Sequence, residues 1–297
     1  TPGHKDFSED TYRTLMAVDA AVMLIDAGKG VEPQTRKLFE VCAMRGIPIF
    51  TFINKCDRPA RDPLDLIDEL EKVLGIRSCP ITWPIGMGDR FRGVFDRESN
   101  EVLVFQTEGE ANVKGKLQAK KVSGFDDPVF KEILAGPRKD EDEAKELRET
   151  FQSELELVEV AGDAYDREKV LSGKLSPVFF GSALNNFGVE RFLERFIRMA
   201  PSPVGRISHD DVFVEPDDPD CSGFVFKILA NMDPKHRDRV AFMRICSGIL
   251  TRNMMVKHAR LQKDVKLAMP LRFLGQDRII VEEAFPGDIV GLLDTSG

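Results

Sequence analysis

Apolar runs alternate with helix-like segments in the first two thirds of the chain, and this alternation restricts its fold more than any other feature. Continuous apolar runs occupy 18–27 and 47–53, and helical patterns follow them at 33–45 and 63–74. The same order of strand and then helix returns over 175–200. Strands that are apolar on both faces are expected where helices cover both sides of a parallel sheet. The sequence therefore predicts an α/β domain built on a central, doubly wound parallel sheet.

The alternation stops between about 80 and 170. Short strand-like pieces there are followed by a strongly charged run whose apolar residues recur at helical spacing, namely Leu147, Phe151, Leu155 and Val158. Such a stripe predicts an amphipathic helix with a solvated acidic face. We interpret the whole stretch as a subdomain inserted into the α/β domain.

Proline and aspartate mark a domain boundary near residue 205. The segments PSPVG at 201–205 and EPDDPDC at 215–221 have the composition of turns and linkers. Beyond them, short apolar strands are separated by Gly, Asp and Pro, a pattern typical of an all-β barrel. We therefore predict two domains, 1–204 and 205–297.

Composition excludes several classes of protein. The 297 residues include 42 Lys and Arg against 50 Asp and Glu, a formal net charge of −8 that disfavours general DNA binding. The apolar runs are shorter than the roughly 20 residues that a transmembrane helix needs, and the first residues do not resemble a secretory signal. The five cysteines form no CxxC pair, and the four histidines lack the spacing of metal ligands. We expect a cytoplasmic protein without a membrane or DNA partner and without a metal bound by these side chains.

The strongest chemical signal is Asn54-Lys55-Cys56-Asp57, directly after the apolar run at 47–53. Residues at the carboxyl end of a strand in an open α/β sheet face the ligand crevice. The Asp57 carboxylate can accept hydrogen bonds from N1–H and the 2-amino group of guanine, whereas adenine offers neither donor there. The Lys55 stem can cover the purine face, the Asn54 amide can tie this loop to a neighbouring one, and Cys56 fills space. An NKxD string also arises by chance, as an Asn/Asp turn after a strand.

A second motif, Thr1-Pro2-Gly3-His4, lies upstream. A glycine can bring its N–H against a phosphate oxygen, and a following side chain can orient water, which suits hydrolysis of a γ-phosphate. In isolation TPGH predicts only a Pro-Gly turn with a solvated histidine.

A third motif, Gly181-Ser182-Ala183-Leu184, follows another apolar run. The N–H of Ala183 could meet the guanine O6 in this position. The motif is weak alone, but the three motifs in this order together predict a guanine-nucleotide site.

These motifs resemble the third, fourth and fifth guanine-nucleotide motifs of translational GTPases. Two further segments, 81–96 and SGFVFKILANMDPKHRDRVAFMRICSG at 222–248, resemble the bacterial release factor 3 group of that family. The stretch NMDPKHRDRVAFMR distinguishes this group from the related translocase, elongation factor G. The resemblance covers essentially the whole chain and implies a P-loop-NTPase-like domain followed by a β-barrel domain.

The resemblance also implies roles for individual residues. Gly3 would contact the γ-phosphate, and His4 would be the catalytic residue that orients the attacking water. The implied nucleotide-binding residues are Thr1, Pro2, Gly3, His4, Asn54, Lys55, Cys56, Asp57, Ser182, Ala183 and Leu184.

By the same resemblance, the function is that of a ribosome-stimulated GTPase that acts in translation termination. Its ligands would be GTP and GDP, with Mg²⁺ expected in the intact protein. Its partners would be the ribosome, through RNA and proteins, and the codon-reading release factors whose departure it promotes. The alternatives are a translocase-type GTPase and a non-catalytic module that docks on the ribosome.

Parts of the family pattern are missing from the sequence. It contains no GxxxxGK[ST] phosphate-binding loop, no first switch segment and no aspartate immediately before Thr1. We therefore expect an internal fragment, truncated at both ends. We expect a polypeptide of these residues alone to bind GTP weakly and to be inactive in hydrolysis, because only a few hydrogen bonds to guanine remain.

Overall fold

The structure is a computed structural model that describes residues 8–106, 116–122, 127–135, 141–230, 239–274 and 277–294. The helices are α1 (Ser8–Leu15), α2 (Pro33–Met44), α3 (Pro63–Leu74), α4 (Pro128–Ala135), α5 (Glu141–Ala161), α6 (Arg167–Leu171) and α7 (Val189–Met199). The first ten strands are β1 (Ala21–Asp26), β2 (Ile49–Asn54), β3 (Arg77–Pro80), β4 (Thr82–Ile85), β5 (Gly93–Asp96), β6 (Glu101–Gln106), β7 (Lys116–Lys121), β8 (Leu175–Phe180), β9 (Arg206–Ile207) and β10 (Phe213–Val214). The remaining strands are β11 (Ser222–Ala230), β12 (Arg239–Ser247), β13 (Leu250–Thr251), β14 (Met254–His258), β15 (Lys263–Leu267), β16 (Pro270–Leu274), β17 (Asp277–Ile280), β18 (Glu283–Ala284) and β19 (Ile289–Asp294).

One compact unit, Ala20–Ala200, contains a parallel sheet in the order β1-β2-β8-β3. Successive side chains of β2 enter two different cores. Phe50 and Phe52 pack with Phe192 of α7, whereas Ile53 packs with Leu66 of α3. Helices therefore cover both faces of the sheet, and the predicted doubly wound α/β fold is confirmed.

Local sequence sets the limits of α3, the helix that follows the Asn54–Asp57 loop. Pro63 occupies its first turn, where its missing N–H costs no helical hydrogen bond. The Asp62 carboxylate caps the helix by accepting from the N–H of Leu64 at 2.8 Å. Gly75 ends the helix in the left-handed conformation, with φ of 70°.

The chain between β3 and β8 forms a second, antiparallel sheet in the order β4-β5-β6-β7, with α4 and α5 as its helices. The buried residues of α5 are the predicted apolar stripe, Leu147, Phe151, Leu155 and Val158. Trp83 of β4 is fully buried, and its indole N–H donates to Glu154 of α5 at 2.8 Å. Burial raises the pKa of the Glu154 carboxyl despite that hydrogen bond.

A buried ion pair joins this second sheet to α7. Asp96 at the end of β5 is fully buried, and both of its carboxylate oxygens accept from Nη2 of Arg195 at 3.0 Å. Arg191 approaches the same carboxylate at 3.5 Å. Glu98 pairs with the other side of Arg195 but is largely exposed. The sheet is thus fixed to the last helix of the unit by a desolvated charge pair.

The other compact unit contains α1 and the β strands that follow Pro201. Its main sheet has the order β11-β12-β19-β16-β17 and is antiparallel, and three two-stranded antiparallel sheets accompany it. Buried Arg244 of β12 donates at 2.6 Å both to the carbonyl of Ala17 and to Asp19, which ties the residues after α1 to this sheet. The predicted all-β fold is confirmed.

The structure groups residues 8–19 with the β domain, whereas the sequence-based limits 1–204 and 205–297 place them with the α/β domain. Those limits stay a prediction. Among the described helices none is long and apolar enough to cross a membrane. All five cysteines are free thiols.

We expect Asp96→Ala to lower the free energy of unfolding by about 3 to 5 kcal/mol, because it removes the buried carboxylate partner of the Arg195 guanidinium and leaves only the exposed Glu98. The matched control is Glu98→Ala, which removes the exposed partner of the same arginine and is expected to cost less than about 1 kcal/mol. Equilibrium urea unfolding measures both variants. Equal losses of unfolding free energy in the two variants would show that the buried Asp96–Arg195 pair stabilises the fold no more than the exposed Glu98–Arg195 pair.

Candidate functional site

The register of the parallel sheet brings the ends of three strands together. Asp26 at the end of β1 lies beside Asn54 at the end of β2, and Ile53 lies beside Phe180 at the end of β8. The carboxyl ends of parallel strands form the ligand-binding edge of such a sheet. The loop after β2 and the loop after β8 therefore meet at this edge.

Two hydrogen bonds join these loops. The side-chain oxygen Oδ1 of Asn54 accepts from the N–H of Ala183 at 2.8 Å, and also from the N–H of Lys55 at 2.8 Å. The N–H of Cys56 donates to the carbonyl of Gly181 at 3.1 Å. The Asn54 side chain thus links the two chain segments beyond the last paired residues of β2 and β8.

The bond to Ala183 bears on one expectation from the sequence. Its N–H was predicted to meet the guanine O6, but in this structure it is donated to Asn54. A contact with O6 therefore requires this hydrogen to be shared between the two oxygens or released by Asn54.

Asp57 lies partly buried between the two loops. Its Oδ2 accepts from the side-chain amide of Asn185 at 3.1 Å. Its Oδ1 is buried and has no hydrogen-bond partner within the described ranges. An unpaired, buried carboxylate oxygen is costly, so it calls for a hydrogen-bond donor that the described residues do not supply.

Lys55 adopts a left-handed backbone conformation, with φ of 68°, and turns its ammonium group back over the sheet edge. The ammonium donates to Oδ2 of Asp26 at 2.6 Å, and Oδ1 of Asp26 accepts from the N–H of Gly28 at 2.9 Å. Burial alone would raise the pKa of Asp26, but these two hydrogen bonds, together with the charges of Lys55 and Lys29, hold the pKa below its ordinary value. A position of the Lys55 stem over a purine stays a prediction.

Cys56 is fully buried beneath the loop. Burial raises the pKa of its thiol to about 12, and Sγ donates to the carbonyl of Ile53 at 3.4 Å. A thiol in this state is not a nucleophile at neutral pH. Its place in the structure is that of a small apolar filler.

The turn after β8 requires glycine at its start. A Cβ on Gly181 would lie 2.4 Å from the carbonyl oxygen of Phe187 and 2.8 Å from the ring of Phe52. Ser182 and Phe187 exchange backbone hydrogen bonds of 3.0 and 2.8 Å, which closes the turn. The Ser182 hydroxyl is buried and unpaired in the part of the chain described, and Leu184 is 72% exposed.

The structure thus brings together the predicted residues 54–57 and 182–184. The predicted residues Thr1, Pro2, Gly3 and His4 lie outside the described residues, and their roles stay predictions. Within the described ranges, no group of three or more His, Cys, Asp or Glu side chains could hold a metal ion.

Two residues of the site were missed by the sequence analysis. Asp26 lies near the carboxyl end of the predicted apolar strand at 18–27, and its position alone was a signal because strand ends share one edge. Asn185 directly follows the GSAL motif, but only the folded turn shows that its amide reaches Asp57.

Two family models match the chain. The model described as Elongation factor Tu GTP binding domain matches residues 1–202. The model described as Elongation factor G domain 2 matches residues 220–297.

Relatives named Peptide chain release factor 3 align with nearly the whole chain. The Symbiobacterium thermophilum protein is 53% identical over 294 residues, which are 99% of this chain and 53% of that protein. The Gloeobacter violaceus protein is 55% identical over 294 residues, again 99% and 53%. The Gloeothece citriformis protein is 53% identical over 293 residues, 98% and 52%. The chain therefore spans about half the length of the curated relatives it matches.

A solved structure is similar in fold. The crystal structure of a Thermus thermophilus protein matches with a TM-score of 0.71 over 100% of this chain and 42% of that chain. The two sequences are 24% identical, so this likeness shows the fold alone. Because the first family model matches more than half of the sequence, the chain belongs to the family of the Elongation factor Tu GTP binding domain, the translational GTPases.

Proposed function

We propose that the whole protein binds and hydrolyses GTP as a translation termination factor, and that it promotes the departure of codon-reading release factors from the ribosome. Support for the termination role comes from the relatives named Peptide chain release factor 3, which align with 98 to 99% of this chain. Support for the guanine site comes chiefly from one observation, the partly buried Asp57 carboxylate between two tied loops.

The proposed site selects guanine by the pattern of donors on the base. N1–H and the 2-amino group of guanine point in the same direction, and the two oxygens of the Asp57 carboxylate can accept from both. Adenine has an unprotonated ring nitrogen at position 1, which would face a negatively charged acceptor without a hydrogen between them. The unpaired Oδ1 of Asp57 supplies one of the acceptors that this recognition needs.

Hydrolysis is assigned to the TPGH motif on the basis of sequence. We propose that the backbone of Gly3 approaches the γ-phosphate and that His4 orients the attacking water, since phosphoryl transfer depends on positioning and electrostatics. We propose Mg²⁺ as a companion of the nucleotide. We propose a cytoplasmic location, because the proposed partner is the ribosome.

A translocase-type factor is the second candidate, because residues 220–297 match the Elongation factor G domain 2 model. A reconstituted termination reaction separates the two. We expect the whole protein with GTP to accelerate dissociation of a codon-reading release factor from terminated ribosomes. Support of tRNA translocation without this acceleration would favour the second candidate.

We expect Asp57→Asn in the whole protein to change the preferred nucleotide from GTP to XTP. The amide presents a donor where the carboxylate presented an acceptor, so it opposes the 2-amino group of guanine and suits the 2-carbonyl of xanthine. Competition binding with both nucleotides measures the preference. A variant that still preferred GTP would remove Asp57 from the base site.

We expect His4→Ala to bind GTP with nearly unchanged affinity and to hydrolyse it poorly on the ribosome. Orienting water stabilises the transition state and adds little to binding of the ground state, and such positioning is worth roughly 100-fold or more in rate. Single-turnover GTP cleavage with ribosomes, measured beside equilibrium binding, separates the two effects. An unchanged cleavage rate, or a loss of affinity as large as the loss of rate, would contradict the assignment.

A further inference from the structure

Asn185 makes the third contact between the two loops at the sheet edge. Besides the bond from Ala183 to Asn54 and the bond from Cys56 to Gly181, the side-chain amide of Asn185 donates to Oδ2 of Asp57 at 3.1 Å. The first two contacts fix the backbones of the loops. The third fixes the orientation of the carboxylate itself.

The chemistry of the pair allows one arrangement only. An ionised carboxylate accepts hydrogen bonds and donates none, so Asn185 must present its nitrogen to Asp57. A carboxylate has about four acceptor positions, so one bond from Asn185 leaves enough for two donors of a ligand. The other oxygen, Oδ1, is buried and unpaired within the described residues. The carboxylate is thus held from one side and left unsatisfied at a buried oxygen.

Orientation matters for guanine more than for most ligands. N1–H and the 2-amino group are fixed side by side on a rigid base, so both bonds form only when the two carboxylate oxygens lie close to the plane of the base. A base with one of these donors tolerates rotation of the carboxylate. Polar groups that are already held in the binding orientation bind a ligand more tightly, because less conformational freedom of the protein is lost on binding.

Asn185 itself is placed by the turn that follows Gly181. Residues Ala183–Asn185 form a single 3₁₀ turn, and Asn186 ends it in the left-handed conformation, with φ of 54°. This turn is closed by the backbone bonds between Ser182 and Phe187. The amide therefore reaches Asp57 from a short, hydrogen-bonded turn.

We propose that Asn185 is a positioning residue for guanine recognition, acting through its hydrogen bond to Asp57. The inference rests on the proposed guanine-nucleotide function and adds to it a residue that sets the degree of base selectivity. In this proposal Asn185 acts through the carboxylate to which it donates, rather than through the base. Its effect is on how well Asp57 distinguishes guanine from related purines.

Inosine diphosphate tests this directly, because hypoxanthine keeps N1–H and O6 of guanine and lacks only the 2-amino group. Affinities of the whole protein for GDP and IDP are measured by calorimetric titration. For Asn185→Ala we expect GDP affinity to fall about tenfold and IDP affinity by about twofold or less, as the loss of one hydrogen bond to a charged group would produce. The ratio of GDP to IDP affinity therefore shrinks.

The matched control is Asn186→Gly, which removes an amide one residue away and keeps a backbone conformation that glycine adopts readily. We expect both affinities and their ratio to remain close to those of the unchanged protein. Thermal unfolding of both variants verifies that the loops remain folded.

The variant Asn185→Asp provides a further test, in which GDP affinity is measured as a function of pH. It places a second carboxylate against Asp57, and two adjacent carboxylates share a proton more readily than either alone. We expect GDP affinity to be lower than for Asn185→Ala at pH 8 and to recover relative to that variant as the pH falls towards about 5, where a shared proton restores a hydrogen bond.

The possible outcomes are distinct. Failure of the unchanged protein to prefer GDP over IDP would overturn the proposed guanine site together with this inference. With that preference present, an equal fall of both affinities for Asn185→Ala would leave Asn185 a merely structural role and overturn the inference alone. Unchanged affinities would also overturn it, as would a rise in GDP affinity, which would mean that the amide competes with the base.

Discussion

The hydrogen bond from Ala183 to the Asn54 side chain is the interaction on which the candidate site depends. It joins loops that lie more than 120 residues apart in sequence, and its length is 2.8 Å. The parallel pairing of β2 with β8 brings the loops to the same edge, but the pairing ends at Ile53 and Phe180. Beyond that point, the loops are held together by this bond, by the backbone bond from Cys56 to Gly181 and by the bond from Asn185 to Asp57.

Packing beneath the loops explains why this arrangement is stable. Cys56 is fully buried, and Gly181 lies so close to Phe187 and Phe52 that a Cβ would not fit. Buried aromatic residues therefore support the polar contacts from below. On the other side, Lys55 and Asp26 form an ion pair of 2.6 Å at the end of β1. The polar groups of this edge therefore lie on a rigid apolar core, as in binding sites on α/β sheets generally.

Much of this arrangement could be predicted from the sequence, because strand and helix periodicity are local signals. The helices α2, α3 and α7 and the stripe of α5 lie where the apolar patterns placed them. The contact of Asn185 with Asp57 could not be predicted, since it depends on the conformation of a 3₁₀ turn and on a register between distant strands. The sequence predicted that the Asn54 amide ties its loop to a neighbouring one, but not that the partner is the Ala183 N–H, which was expected to meet the guanine O6. Local patterns identify the loops, and only the fold shows which side chains within them meet.

The most direct measurement is a crystal structure of the whole protein with GDP bound. The account predicts that the guanine base lies between the loop 54–57 and the turn 182–185, with N1–H and the 2-amino group on the Asp57 carboxylate and with Asn185 still bonded to Oδ2. A base bound at another edge of the sheet, or one that makes no contact with Asp57, would contradict it.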